Sequence, residues 1–274
     1  MWIFCIRMPC FLQQRLVYNT IKSKMKITVV INTYNASQYL EEVLQSVSGF
    51  DEIVVCDMES TDSTLDIARK YGCKIVTFER KNFRIVEPAR NFAVQSASNP
   101  YVLVVDADEI VTKELKEYLY KCVQESNCPQ GLMIPRRNQF MGHYMGGSLG
   151  DWQLRFFTKE GTYWPETIHS VPKIQGRVEK IPSSVHNALL IHLDKENLHN
   201  RLEKLNRYTD FEVEKKSKRN YTAFALFYRP MWSFIKSYFL QGGIRYGVRG
   251  FIKAKYDASY QFFTVAKSIE KRLK

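Results

Sequence analysis

The order of local patterns along residues 26–111 predicts an α/β domain built on a mainly parallel sheet with helices on both faces. Three observations carry this. Short runs rich in Val and Ile alternate with segments whose apolar residues recur at helical spacing. The Val/Ile runs are almost continuously apolar, as strands buried on both faces are. Polar and acidic residues stand where those runs end: Asn32 and Thr33, Asp57, and Asp106 to Glu109. Open α/β sheets bind ligands at the carboxyl ends of their strands.

KITVVIN, opening at Lys26, reads as a buried strand, and the loop TYNAS leads from it into a helix marked by Tyr39, Val43, Leu44 and Val47. DEIVVCD is a second strand. STDS then caps a helix with Leu65, Ile67 and Ala68 in its apolar set. CKIVTF is a third strand, PARNFAVQSA a helix with Pro88 near its start, and YVLVVDADEIV a fourth strand ending in acids. Residues 112–126 follow as a helix. LMIPRR, WQLRFFT and ALLIHL read as further strands, with the Gly-rich MGHYMGGSLGD between the first two. NLHNRLEKLNRY places Leu198, Leu202 and Leu205 on one helical face.

The first 24 residues differ from the rest. Their apolar residues are broken by Arg7, Pro9 and Arg15, so they lack the continuous core of a signal peptide, and Met25 opens MKITVVINTYN as a natural domain start. They are expected to be an upstream extension or a start-site overcall, the alternative being a weak interfacial anchor. No stretch reaches the roughly 18 uncharged apolar residues of a membrane span. The expected organisation is an extension over 1–24, a domain over 25–195 (halves 25–111 and 112–195), and a helical region over 196–274.

Composition narrows the partners. Lys and Arg number 40 against 28 Asp and Glu, a net charge of +12, which favours polyanions or an anionic membrane surface. The six cysteines, at 5, 10, 56, 73, 122 and 128, form no close CxxC pair, and the five histidines do not flank them at zinc-ligand spacing. Cys56 reads as a small core residue, and a reduced, cytoplasmic compartment is expected.

Asp106 and Asp108 stand one residue apart at the end of an apolar strand, where two carboxylates can hold a divalent cation that neutralises a diphosphate. A second acidic loop, DMESTDST, places Asp57, Glu59 and Asp62 at another strand end. Taken together, INTYNASQYLEEVLQSV, EIVVCDMESTDSTLDIA and ARNFAVQSASNPYVLVVDADE resemble the successive donor-site motifs of the family 2 glycosyltransferases. More narrowly they resemble the bacterial branch of lipopolysaccharide core β-glucosyltransferases. The resemblance is strong from Lys26 to about Val111 and continues more weakly through DWQLRFF, HNRLEKLNRYT and the basic tail.

The resemblance implies an A-type glycosyltransferase fold, with a Rossmann-like nucleotide half joined to an acceptor half. It implies a nucleotide-sugar donor, with uridine diphosphate the expected nucleotide, a saccharide or lipid-linked acceptor, and Mg²⁺ or Mn²⁺. Carried over by position, Thr33 and Tyr34 lie beside the nucleotide base, Asp57 hydrogen-bonds it, and Arg90 lies near the donor. Asp106 faces ribose and metal, and Asp108 coordinates the metal. An inverting displacement also needs a base for the acceptor hydroxyl. That branch carries His-Glu after the middle strands, whereas this chain has WPETIHS, in which His169 is followed by Ser170. Glu166, His169 and Asp151 are the candidates.

From Tyr221 onward, ten Lys or Arg face only Asp257 and Glu270, with Tyr, Phe and Trp interleaved. That composition suits a helix lying in a lipid headgroup layer. The expected location is therefore the inner face of the cytoplasmic membrane, peripherally held, with no nucleic-acid partner. The blander alternative is a helical cap with the aromatics as its core. Two rival functions stand beside transfer. Without His-Glu, the chain can be read as a non-catalytic nucleotide-sugar-binding relic. VLVVDADEIVT superficially resembles the nucleophile strand of haloacid-dehalogenase-type phosphatases, but Glu109 stands where that motif has Gly, and three α/β elements precede it.

Overall fold

The structure is a computed structural model that describes residues 26–80, 86–145, 151–165, 170–215 and 220–274. The extension expected over 1–24 lies outside the described residues. The chain forms two compact units. The first comprises the described residues up to Arg136 together with Trp152–Ile191, and the second comprises Arg137–Asp151 and His192–Lys274.

The first unit begins with the predicted alternation: β1 (Ile27–Thr33), α1 (Ser37–Ser46), β2 (Glu52–Asp57), α2 (Thr64–Lys70), β3 (Lys74–Thr77), α3 (Glu87–Gln95) and β4 (Tyr101–Asp106). The acid-rich end of the fourth apolar run is not one strand. A turn at Ala107 and Asp108 separates β4 from β5 (Glu109–Val111). After α4 (Lys113–Gln124) come β6 (Gly131–Phe140), β7 (His143–Tyr144), β8 (Trp152–Thr158), β9 (Thr162–Tyr163), β10 (Lys173–Ile174), β11 (Val178–Lys180) and β12 (Leu190–His192).

The main sheet runs β3-β2-β1-β4-β8-β6-β12-β5. Its first four strands are parallel to one another, and β8 then pairs antiparallel with both β4 and β6. Strand β1 is buried along nearly its whole length because it has a partner on each side and helices over each face. Its alternate residues serve two cores. Ile27, Val29 and Ile31 pack with Leu40 and Leu44 of α1 and with Leu115 and Leu119 of α4. Val30 points the other way, with Val54, Val102 and Val104, against Ala89, Ala93 and Val94 of α3. Cys56 is buried on that second face as expected, and burial, reinforced by Asp57, pushes its thiol up to about 12.

The second helix begins differently from the reading of STDS. Ser63 occupies the cap position without a side-chain cap bond, while Asp62 accepts from the Thr64 amide at 3.0 Å. Pro88 does stand in the first turn of α3, where its missing N–H costs nothing. Thr112 caps α4 by accepting from Leu115 N at 3.3 Å.

The second unit contains α5 (Leu198–Lys215), α6 (Ala225–Ile235), a π-helical turn (Lys236–Leu240), a 3₁₀ turn (Gly243–Tyr246) and α7 (Gly247–Leu273). The buried face of α5 differs from the one expected. Leu205 is buried, but Leu198 and Leu202 are exposed, and Arg201, Thr209 and Val213 complete the inward stripe. The helix is rotated because Arg201 is the anchored residue: it pairs with Asp194, and its guanidinium lies 4.4 Å from the Phe140 ring centroid. The long α7 is tied to α5 by Tyr256 Oη, which donates to Arg201 O at 2.9 Å, and by Lys267 Nζ on Asp210 at 2.7 Å.

Where α7 begins, two glycines let the backbone pass at van der Waals distance. A Cβ on Gly250 would stand 1.8 Å from the Gly243 carbonyl oxygen, and one on Gly243 would stand 2.7 Å from Ser237 O. Alanine would otherwise gain up to about 1 kcal/mol over glycine inside a helix. Here the clash decides the sign, because the obstacle is backbone. Gly250→Ala is expected to cost about 1–3 kcal/mol, and a thermal melt should show Tm lowered by several degrees. An unchanged or raised Tm would mean that this close approach is not required.

Candidate functional site

The parallel register aligns the polar residues that end the first strands. Thr33 stands opposite Asp57, and Asn32 opposite Asp106. Two sets of side chains are built there, both within the first unit.

The first is centred on Asp106, the last residue of β4. Its Oδ1 accepts from Arg90 of α3 at 2.7 Å and its Oδ2 from Arg155 of β8 at 2.5 Å. Its own amide donates to Glu109 Oε2 at 3.0 Å, and Glu109 Oε1 accepts from Arg136 of β6 at 3.1 Å. Arg155 also lies 3.9 Å from Glu109, so two carboxylates and three guanidiniums form one continuous chain. Burial by itself favours a neutral Asp106, but the Arg155 and Arg90 charges outweigh it and hold the carboxyl well below the usual carboxylate range. Glu109 goes the other way. Full burial, helped by the negative charge of Asp106, raises its pKa despite Arg155 and Arg136.

This chain lines a cleft of about 590 Å³ whose walls include Arg90, Asp106, Arg136, Arg155, Trp152 and Trp164. The Arg90 guanidinium lies 4.9 Å from the Trp164 ring centroid. Asn91 Oδ1 accepts from the Trp164 amide at 3.3 Å. Arg90 and Asn91 are therefore not surface residues of α3: both support the cleft wall. Arg90 Nη1, Arg155 Nε and Trp164 Nε1 are buried without a hydrogen-bond partner among the described residues.

The second set lies at the ends of β1 and β2. Asp57 is buried and accepts from Thr33 Oγ1 at 2.9 Å, from Ser60 Oγ at 2.6 Å and from Ser60 N at 2.9 Å. Tyr34 is exposed, with the Arg80 guanidinium 3.9 Å from its ring centroid. The acids of DMESTDST divide their work. Glu59 accepts from the Arg80 amide at 3.1 Å, and Asp62 accepts from Ser37 N and Thr64 N. Desolvation opposes ionisation of Asp62, but the bonds from Ser37 and Thr64 prevail and lower it to about 2. Asp62 is thus a loop-building residue.

The remaining predicted residues fall in three places. Asp108 lies half-buried in the turn two residues beyond Asp106. Asp151 belongs to the second unit, where its Oδ2 accepts from Asn138 Nδ2 at 2.8 Å. Glu166 and His169 lie outside the described residues, although Trp164 and Ser170 on either side of them line the cleft. Among the described residues, no group of three His, Cys, Asp or Glu is placed to hold a metal.

Sequence reasoning missed Arg136, Arg155, Glu109 and Trp164 as a set. The available signal was a lone cation inside an apolar strand: Arg155 stands between Leu154 and Phe156 and shares its side of β8 with the buried Phe157. A charge at such a position needs a partner, and the acids after β4, the strand paired with β8, supply it.

The lipopolysaccharide core biosynthesis glycosyltransferase LpsC of Rhizobium meliloti (strain 1021) is 27% identical over 253 residues, covering 89% of this chain and 92% of that protein. An uncharacterized glycosyltransferase of Rickettsia typhi is 24% identical, covering 91% and 88%. The poly(ribitol-phosphate) beta-N-acetylglucosaminyltransferase TarS of Staphylococcus aureus is 37% identical over 100 residues, covering 33% of this chain and 17% of its own length. The crystal structure of TarS 1–349 aligns with a TM-score of 0.49 at 20% identity, over 90% of this chain and 91% of that one. The family model for glycosyl transferase family 2 matches residues 28–173. That match spans more than half of the sequence and includes both sets of side chains, and the chain therefore belongs to glycosyl transferase family 2.

Proposed function

We propose that this enzyme moves a sugar from a nucleotide-diphosphate sugar, with uridine the favoured base, to a saccharide or lipid-linked acceptor in cell-envelope glycan synthesis, with inversion at the transferred carbon. The observation that carries this reading is Asp106, kept ionised by Arg90 and Arg155 at a strand end that opens into a cleft lined by three arginines. The similarity to LpsC, a lipopolysaccharide core biosynthesis glycosyltransferase by name, supports the envelope setting.

Each residue then has a task. A carboxylate offers about four lone-pair sites. Three bonds to Asp57 leave capacity for a further donor, which suits the edge of a nucleotide base. Tyr34, carrying Arg80 on its ring, offers a flat surface beside it. Arg90, Arg136 and Arg155 line the cleft with positive charge for the donor's phosphates or an anionic acceptor. Asp106 and Asp108 would hold Mg²⁺ or Mn²⁺. Such ions take one or two carboxylates plus substrate phosphate oxygens in preference to an all-protein cage, so a two-acid set fits the chemistry. A cation there would neutralise charge developing on the departing nucleoside diphosphate.

The acceptor hydroxyl must lose its proton to a base. Glu166 and His169 are favoured by sequence position, since residues on both sides of them line the cleft; Asp151 is the third candidate. The departure from His-Glu keeps a second reading open, a donor-binding protein without turnover. The phosphatase reading has no support: Glu109 stands where that motif has Gly, and three α/β elements precede the strand.

Two experiments test this. Asp108→Asn is expected to lower Mn²⁺-dependent transfer and donor hydrolysis by at least about a hundredfold while leaving Tm within a degree or so. Unchanged activity in this variant, or activity indifferent to EDTA, removes the metal role. For the base, Glu166→Gln, His169→Asn and Asp151→Asn are compared one at a time. One of them should lower kcat by about 10²–10⁴ with donor affinity nearly unchanged, and should alter the pH profile of the residual rate. Three variants with parental turnover would place the base elsewhere. A parent that binds UDP-sugars and neither hydrolyses nor transfers them would establish the binding-only reading.

A further inference from the structure

Helix α6 presents its apolar stripe to solvent. Phe224, Phe227, Tyr228, Met231 and Trp232 recur at the i, i+3, i+4, i+7, i+8 spacing that ordinarily faces a core. All are exposed, Phe224 to 70%, Phe227 to 72%, Met231 to 61% and Trp232 to 58%. The fold does not need that stripe for packing. The opposite side of α6 is already seated on α7: Ala225 is buried with Val265, and Arg229 donates to Gln261 Oε1 at 2.8 Å. Beyond α6, the π-helical and 3₁₀ turns continue the pattern with exposed Phe239, Leu240 and Ile244, and Val248 opens α7 at 75% exposure. Scattered exposed apolar residues are ordinary, whereas a continuous stripe of aromatics marks an interaction surface.

Cations interrupt this stretch. Lys236, Arg245, Arg249 and Lys255 are exposed within the same thirty or so residues, whose only acid, Asp257, is engaged by Ser237 at 2.6 Å and Lys253 at 2.7 Å. This pairing of aromatics with uncompensated Lys and Arg decides between occupants. A two-fold contact with a second copy would bring like-charged patches face to face. An anionic bilayer surface complements both features, with headgroups for the cations and the acyl boundary for the rings. Among the described residues no helix is long and apolar enough to cross a membrane, so the surface would lie in the interface.

We infer that Phe224, Phe227, Met231 and Trp232 of α6, with Phe239, Leu240, Ile244 and Val248 of the following turns, form an insertion face that seats the enzyme on an anionic lipid leaflet. This deepens the membrane-proximal, lipid-linked reading above and does not depend on the donor chemistry. The test uses the full chain with phosphatidylcholine vesicles, with and without phosphatidylglycerol, at low and high salt.

The protein should co-sediment with the anionic vesicles, more weakly at high salt, with a blue shift in tryptophan emission that Trp232→Phe abolishes. Phe227→Ser/Trp232→Ser should weaken binding at least about tenfold, and Arg245→Glu/Arg249→Glu comparably, at unchanged Tm. Donor hydrolysis in vesicle-free solution should be unaffected, which separates this surface from the active site. The inference is overturned if the parent binds neither vesicle, if the double serine variant binds as the parent does, or if the parent is a dimer that the serine variant dissolves without any vesicle binding.

Discussion

The structure of the first unit depends on a buried chain of charge, Arg90–Asp106–Arg155–Glu109–Arg136. Its members come from five elements, α3, β4, β8, β5 and β6, and each is held in place by the next. Taking such groups out of water costs several kcal/mol per ion, repaid only when the geometry is good and the remaining hydrogen-bond sites are filled. Here the parallel strand β4 and the antiparallel strands β8 and β6 must meet at a fixed height for the guanidiniums to reach the acids. Removing one arginine would leave a carboxylate short of compensation, the situation in which buried ion pairs cost about 3–5 kcal/mol. The same constraint fixes the charge of the cleft: Asp106 is held ionised while Glu109, wholly enclosed beside it, is pushed toward its proton.

Much of this was legible in the sequence, because parallel strands and the helices between them write their periods plainly. The A-type glycosyltransferase fold expected from the resemblance is the fold found, and the residues at the ends of β1, β2 and β4 stand together as the topology requires. Periodicity failed where one charged residue outweighed several apolar ones. Helix α5 turns Leu198 and Leu202 outward because Arg201 must reach Asp194 and Phe140. The apolar run after Tyr101 breaks at Ala107 and Asp108, since Glu109 has to fold back to the Asp106 amide. Arg136 and Arg155 went unrecognised because their partners lie 27 and 49 residues away, and no local pattern encodes such a pairing.

The acidic loop after β2 shows a related limit. Asp57, Glu59 and Asp62 look equivalent as a run of acids at a strand end. In the fold each carboxylate is distinguished by the donors around it: Asp57 by Thr33 and Ser60, Glu59 by the Arg80 amide, Asp62 by the first amides of two helical starts. Which acid binds a ligand and which builds a loop is a question of hydrogen-bond satisfaction, and composition does not answer it.

That stitching has a consequence for recognition. Asn35 and Glu59 both adopt left-handed backbone, with φ of 49° and 64°, and Asn35 is bonded to Ser60 and Thr61 across the gap between the two loops. A ligand arriving at these strand ends therefore meets walls whose torsions are already set. Little conformational entropy remains to be lost on association, so affinity there follows how well a molecule matches a rigid outline. Close analogues differing by one substituent should be discriminated by steric exclusion at these two strand ends, with little induced adjustment to accommodate them.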